Sequence, residues 1–227
     1  MRTINSQIAV GEHYHLYNRG VAKQVIFHDG RDYARFLFLL LFFQSPVGFT
    51  NLSRPTTSFV KRQTFNINPD IIEKIVKQRG VVLKALCLMP NHFHLIIQEL
   101  KPVGISRYMQ RALTAYAKYY HAKYRCNGHV FQGVYRVNHI KDNDQLLYTS
   151  AYIHKNPVDL GSYRKNYLDY PWASGLDYSR GNRWGELLVT ADILDQFDSG
   201  EQYARWVKNT VAKEIVEALD DWEMCDV

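Results

Sequence analysis

Two short runs hold the side chains best able to do chemistry together: Asn91-His92-Phe93-His94-Leu95-Ile96-Ile97 and Tyr152-Ile153-His154-Lys155-Asn156-Pro157-Val158. In an extended strand, alternation throws His92 and His94 onto one face, roughly 6.6 to 7 Å apart along the backbone, and sends Phe93 to the other. Two imidazoles on one face can converge on a single ion. In a helix, Tyr152 and Asn156 stand four residues apart on one side, so a phenol and an amide oxygen share a surface. Magnesium prefers oxygen donors, whereas imidazole suits manganese, zinc and similar ions. Neutral imidazoles and an amide leave the ion's charge intact, so it would polarise a phosphodiester as a Lewis acid while tyrosine attacks. A free phenol has a pKa of about 10, so that attack needs a base or a cation beside it.

Each run also has a plainer reading. A lone His-x-His in a strand is more often core than ligand. Sixteen tyrosines make any one a poor choice of nucleophile. Tyr116, Tyr119, Tyr120 and Tyr148 read more simply as core or stacking residues, and Tyr152 stands out only through Asn156. His154 falls on a different helical face and is expected at the surface or behind the site. A metal nuclease using water and a non-catalytic DNA- or RNA-binding regulator are the rival functions.

Charge points to a polyanionic partner. Residues 1–180 carry 24 Lys and Arg against 11 Asp and Glu, a balance of +13, whereas residues 181–227 carry 4 against 11, or −7. Between Lys101 and Lys141 lie Arg107, Arg111, Lys118, Lys123, Arg125 and Arg136, with no acidic residue among them. Tyr108, Tyr116, Tyr119, Tyr120, Tyr124, Phe131 and Tyr135 are interleaved with these cations. Cations for phosphates and aromatic faces for bases make a single-stranded nucleic-acid surface; the alternative is a solvated helix face with its aromatics in the core. Three scattered cysteines form neither a disulfide framework nor a zinc motif. The longest apolar run, Phe36 to Phe43, is too short to span a bilayer, and residues 1–12 lack a secretory hydrophobic region, so the expected location is the cytoplasm.

The elements that must position these residues follow from periodicity. His13 to Asn18 alternates as a first strand, ended by Arg19-Gly20. Asp32 to Gln44 reads as a helix buried on most of its surface. Residues 45–69 are rich in Ser, Thr, Pro, Asn and Gly and read as a long loop or insertion. A short helix over Asp70 to Arg79 stops at Gly80. Val81 to Met89 is a strand apolar on both sides, and Pro90-Asn91 turns into the strand His92 to Gln98. Apolar positions recur at helical spacing from Ile105 to Tyr120, with Arg107, Arg111, Thr114 and Lys118 on the other side. Val130 to Ile140 reads as a strand bent at Gly133. Asp142 to Asn156 forms the next helix, with Asp142 or Asn143 as N-cap and Pro157 setting its end, because a residue before proline avoids helical geometry. Residues 157–182 wrap the core. Two acidic amphipathic helices run from Leu188 to the end, meeting near Gly200, with Ile193, Phe197, Tyr203, Trp206, Val207, Val211 and Ile215 as candidate buried positions.

The blocks "YHLYNRG" (14–20), "ALCLMPNHFHLII" (85–97), "ISRYMQRALTAYAKYYHAKYRCNGHVFQGVYR" (105–136), "YIHKNPV" (152–158) and "YPWASGLDY" (170–178) closely resemble the single-tyrosine HUH transposases, nearest to the REP-associated tyrosine transposase branch. The resemblance spans about residues 10–180. It implies an α+β, ferredoxin-like antiparallel sheet backed by helices in a catalytic domain over 1–180, followed by an acidic helical extension over 181–227. It implies that His92 and His94 bind a divalent metal, Mg2+ or Mn2+, with Asn156 as third ligand and Tyr152 as nucleophile. Cleavage of single-stranded or hairpin-forming repeat DNA would leave a 5′-phosphotyrosine and a free 3′-hydroxyl, with no nucleotide cofactor. Arg107, Arg111, Lys118, Lys123, Arg125 and Arg136 would hold the DNA, with the protein a monomer or a homodimer.

Overall fold

A computed structural model describes residues 8–212. Its alternating segments become four strands: β1 (His13–Arg19), β2 (Val81–Met89), β3 (His92–Glu99) and β4 (Arg136–Ile140). They form one sheet in the order β2-β3-β1-β4, and every neighbouring pair is antiparallel. Helices α1 (Gly30–Phe42), α2 (Ser53–Arg62) and α3 (Pro69–Gln78) connect β1 to β2, and α4 (Gly104–Tyr124) connects β3 to β4. This is the βαββαβ order of a ferredoxin-like α+β fold. Helix α5 (Asn143–Lys155) follows β4, and α6 (Gly175–Arg180), α7 (Ala191–Leu194) and α8 (Gly200–Asn209) complete the chain.

Strand alternation divides the interior into two layers. Leu16, Phe93, Leu95 and Ile97 face α1 and α4, where they join Phe36, Leu40, Met109 and Tyr116 in the larger core. Ala85, Cys87 and Ile96 join Ala151, Ile153, Tyr178 and Tyr203 in a second core on the opposite face. Strand β2 is covered on both sides, which accounts for its unbroken apolar sequence. The Asp29 carboxylate caps α1 by accepting from the N–H groups of Arg31 and Asp32 at 2.9 and 3.2 Å. The buried Glu99 carboxylate caps α4 in the same way, accepting from Gly104 and Ile105 at 2.9 and 2.6 Å. Gly104 is required there, because a Cβ would run into the backbone carbonyl of Gly80.

Four expectations need correction. The 45–69 stretch contains α2, whose Pro55, Thr56 and Phe59 are buried; tertiary contacts of Phe59 with Phe65, Trp172 and Trp184 outweigh its loop-like composition. The strand expected over 130–140 is regular only from Arg136, where β1 pairs with it from His13 to Tyr17. Before that the chain follows the end of β1 through a single bridge, Gly20 to Phe131. In the C-terminal stretch, α7 and α8 are shorter than expected, while Ile193, Tyr203 and Val207 are buried as expected, in the second core with residues of α5 and α6. Val211 is 55% exposed, and Ile215 lies outside the described residues. Finally, Asn156 is helical at φ −48° and ψ −42° despite preceding proline, and the chain continues as a 3-10 turn through Asp159.

Candidate active site

His92, His94 and Ile96 point from β3 toward the α5 layer. Antiparallel pairing sets Arg19 beside His92, Tyr17 beside His94 and His15 beside Ile96, so the odd-numbered side chains of β1 share that face. Across the two strands His15 Nε2 lies 2.9 Å from His94 Nδ1, and the Tyr17 ring stacks on His94 at 5.7 Å. Helix α5 crosses above them. The Tyr152 ring stands perpendicular to His94 with centroids 5.4 Å apart, and edge-on to His15 at 5.9 Å. Tyr152 is 6% exposed, whereas His92 is partly open to solvent.

One turn beyond Tyr152, the Asn156 amide folds back along the helix. Its Nδ2 donates to the Tyr152 carbonyl at 2.9 Å, and its Oδ1 faces His92 Nε2 at 3.4 Å. On the other side of His92, the Asn91 Nδ2 donates to the Lys23 carbonyl at 3.2 Å, so the Asn91 Oδ1 faces His92 Nδ1 at 2.7 Å. The imidazole therefore meets an amide oxygen at each nitrogen. Burial lowers the pKa of His92, and the nearby Arg19 charge adds to that; Asn156 and Asp159 only partly oppose it. A neutral ring has one proton and can satisfy only one oxygen. The shorter contact puts that proton on Nδ1, and the lone pair of Nε2 is left facing the lone pairs of Asn156.

Burial and the neighbouring imidazoles of His15 and His92 hold the His94 pKa well below the usual histidine value. It too is neutral near pH 7, the state a metal ligand requires. Among the described residues, no group of three or more His, Cys, Asp or Glu side chains is arranged to hold a metal ion. The donor set here is of another kind, two neutral imidazoles and an amide oxygen, and its facing lone pairs fit a divalent cation.

Residues 57–156 match the family model for IS200-like transposases. Over that stretch the chain is similar to the IS200-like transposases. The matched stretch runs from within α2 to Asn156, so it includes His92, His94 and Tyr152, while β1 with His15 lies before it. The similarity supports a transposase-like, DNA-processing role. A solved structure of a REP-associated tyrosine transposase bound to a REP hairpin is similar over 88% of this chain and 98% of that one, at 16% identity and a TM-score of 0.45. No curated protein matches the chain. Among the described residues, no helix is long and apolar enough to cross a membrane.

The cations expected to hold DNA are divided by the fold. Arg136 is exposed on β4 opposite Tyr17, which puts it on the site face. Arg107, Lys118 and Arg125 are exposed on α4 and just beyond its end, in the layer on the other side of the sheet. Arg111 and Lys123 have internal partners. The Arg111 guanidinium donates to the carbonyls of Phe43, Ser45 and Val47 after α1, and Lys123 pairs with Asp29 at 2.8 Å and Asp32 at 2.5 Å. The interleaved aromatics take the plainer reading. Tyr108, Tyr116 and Tyr120 are buried, and the first two donate to the carbonyls of Leu40 and Ile26 at 2.8 and 2.5 Å. His154 is fully buried rather than on the surface, between Tyr203 Oη and Ser174 Oγ, each at 2.7 Å. The residues missed by sequence reasoning are His15, Tyr17 and Arg19. Their signal was the same alternation in His13–Arg19, which acquires meaning only once β1 is paired with β3.

Proposed function

We propose that the chain is a metal-dependent endonuclease and strand transferase for single-stranded DNA, hairpin-forming repeats included, acting through a 5′-phosphotyrosine. The observation that carries this reading is the convergence of the Tyr152 ring, the facing His92 Nε2 and Asn156 Oδ1, and His94 on one face of the sheet. His92, His94 and Asn156 would hold Mg2+ or Mn2+, which when bound neutralises charge on the scissile phosphate. The Tyr152 oxygen loses its proton and attacks phosphorus. The Tyr–O–P bond forms, the P–O3′ bond breaks, and the departing 3′ oxygen takes up a proton. Attack by a 3′-hydroxyl reverses the sequence and rejoins the strand, so no nucleotide cofactor is consumed.

Asn156, tied to the Tyr152 carbonyl, couples the ion's position to that of the nucleophile. Among the cations, Arg136 suits the reacting strand, together with Arg19. Arg107, Lys118 and Arg125 suit phosphates of flanking DNA.

The test uses single-stranded DNA from the flanks of the protein's own gene, labelled at the 3′ end and incubated with Mn2+ or Mg2+. A labelled, protein-sized band on a denaturing gel, absent for Tyr152→Phe, is the expected result. Cleavage retained by Tyr152→Phe would transfer the reaction to a water-using nuclease. Binding without cleavage by the wild type would make the chain a DNA-binding regulator.

A further inference from the structure

Each histidine of the pair is held at Nδ1 by a residue outside the His-Phe-His run. His92 Nδ1 is 2.7 Å from Asn91 Oδ1, and His94 Nδ1 is 2.9 Å from His15 Nε2. The first contact has a fixed sense. The Asn91 amide is oriented by its donation to the Lys23 carbonyl, so its oxygen must accept and His92 must donate from Nδ1. The second contact joins two imidazoles, both almost completely buried at 2% exposure. Either ring can donate. If His15 donates, the proton of a neutral His94 sits on Nε2 and the ring has no lone pair left for an ion. If His94 donates, its Nε2 carries the lone pair, as His92 Nε2 does.

We propose that His15 and Asn91 are positioning residues that keep His94 and His92 protonated at Nδ1, so that both rings offer Nε2 to one cation. The inference rests on the metal reading above and extends it to two residues on other segments. Ligating histidines commonly donate their second N–H to a fixed acceptor, which sets the tautomer and ring orientation. Here the acceptors differ in kind. Asn91 is the residue just before β3 and is oriented through Lys23. His15 comes from the neighbouring strand β1 and must carry its own proton on Nδ1 to accept with Nε2. The site thus depends on the β1–β3 register. A slip of one residue would turn His15 to the opposite face and remove the acceptor from His94.

The test is made on the metal-free protein labelled with 15N-histidine, in which long-range proton–nitrogen NMR distinguishes the two tautomers near pH 7. Mn2+ affinity is then measured by calorimetry. The wild type is expected to have both His92 and His94 protonated at Nδ1. His15→Ala should move His94 toward the Nε2-protonated form and weaken Mn2+ binding by about 10- to 100-fold. His15→Gln, which supplies an amide oxygen, should recover most of that loss. Asn91→Ala should do the same to His92, at a partly exposed position outside the buried pair, should His15→Ala fail to fold. A wild-type His94 protonated at Nε2 would overturn the proposal without any variant, as would Mn2+ affinity unchanged within twofold in folded His15→Ala or Asn91→Ala. A wild type with the expected tautomers that takes up no Mn2+ would overturn the metal reading and this role together.

Discussion

In the α1–α4 layer the fully buried Asp32 accepts from the Tyr119 and Tyr124 hydroxyls at 2.8 and 2.5 Å, from Lys123 at 2.5 Å and from the His28 N–H at 2.8 Å. Across the sheet, His92 faces two amide oxygens with one proton to give. The Asp32 cluster matches donors to an acceptor, and its capacity is used in holding α1 to α4. The second arrangement sets His92 Nε2 against the Asn156 oxygen at a half-buried position, where with the proton on Nδ1 a cation or a substrate group can complete the pair. Basic and aromatic residues are more numerous along α4, yet the site proposed for the reaction lies in the α5 layer.

The largest effect should come from exchanging damage between the layers. His94→Ala should slow cleavage on the order of a thousandfold, equivalent to several kcal/mol of lost electrostatic stabilisation, with stability changed far less. Single-turnover kinetics beside urea unfolding measures both, and cleavage within tenfold of wild type would break the contrast. Asp32→Ala should do the reverse. Stranding Lys123 and two phenols beneath α1 should cost about 3–5 kcal/mol, read from the urea midpoint, while the folded fraction cleaves normally at low temperature.

Acid should sharpen the contrast next. Burial lowers the pKa of His92 and His94 and pushes that of His154 down to about 3. The folded state resists protonating these rings, whereas the unfolded chain titrates them at about 6.5. Stability is therefore complete above about pH 6.5 and is lost as pH falls toward the depressed folded values. Each ring contributes up to about 1.4 kcal/mol per pH unit over that interval. Urea midpoints at pH 7.5 and 5.5 measure the effect, and equal midpoints would refute it. The smallest effect concerns DNA. On a short oligonucleotide covering only the site, Arg136→Ala should reduce the slope of log affinity against log salt by about 0.7, while Lys118→Ala leaves it unchanged. An equal response to both would place the reacting strand on both layers.

Local periodicity alone determined that His92 and His94 share a face and that Tyr152 and Asn156 share another, because side-chain direction repeats every two residues in a strand and about every 3.6 in a helix. Patterning also marked α1, α3, the β2–β3 hairpin, α4 and α5 and the buried character of β2, and it left the α5 cap to Asp142 or Asn143, of which Asp142 accepts from the Gln145 N–H. What only the tertiary structure decided is which surfaces meet. The pairing of β1 with β3, residues far apart in the chain, brings His15 and Arg19 to the histidine pair. The layer that α4 occupies separates its cations from the site. Internal partners engage two of those cations, Arg111 and Lys123. Packing of Phe59 makes a helix of a loop-like sequence, and Tyr203 and Ser174 draw His154 inside. Each of these depends on contacts between distant segments, which no repeat along the chain encodes.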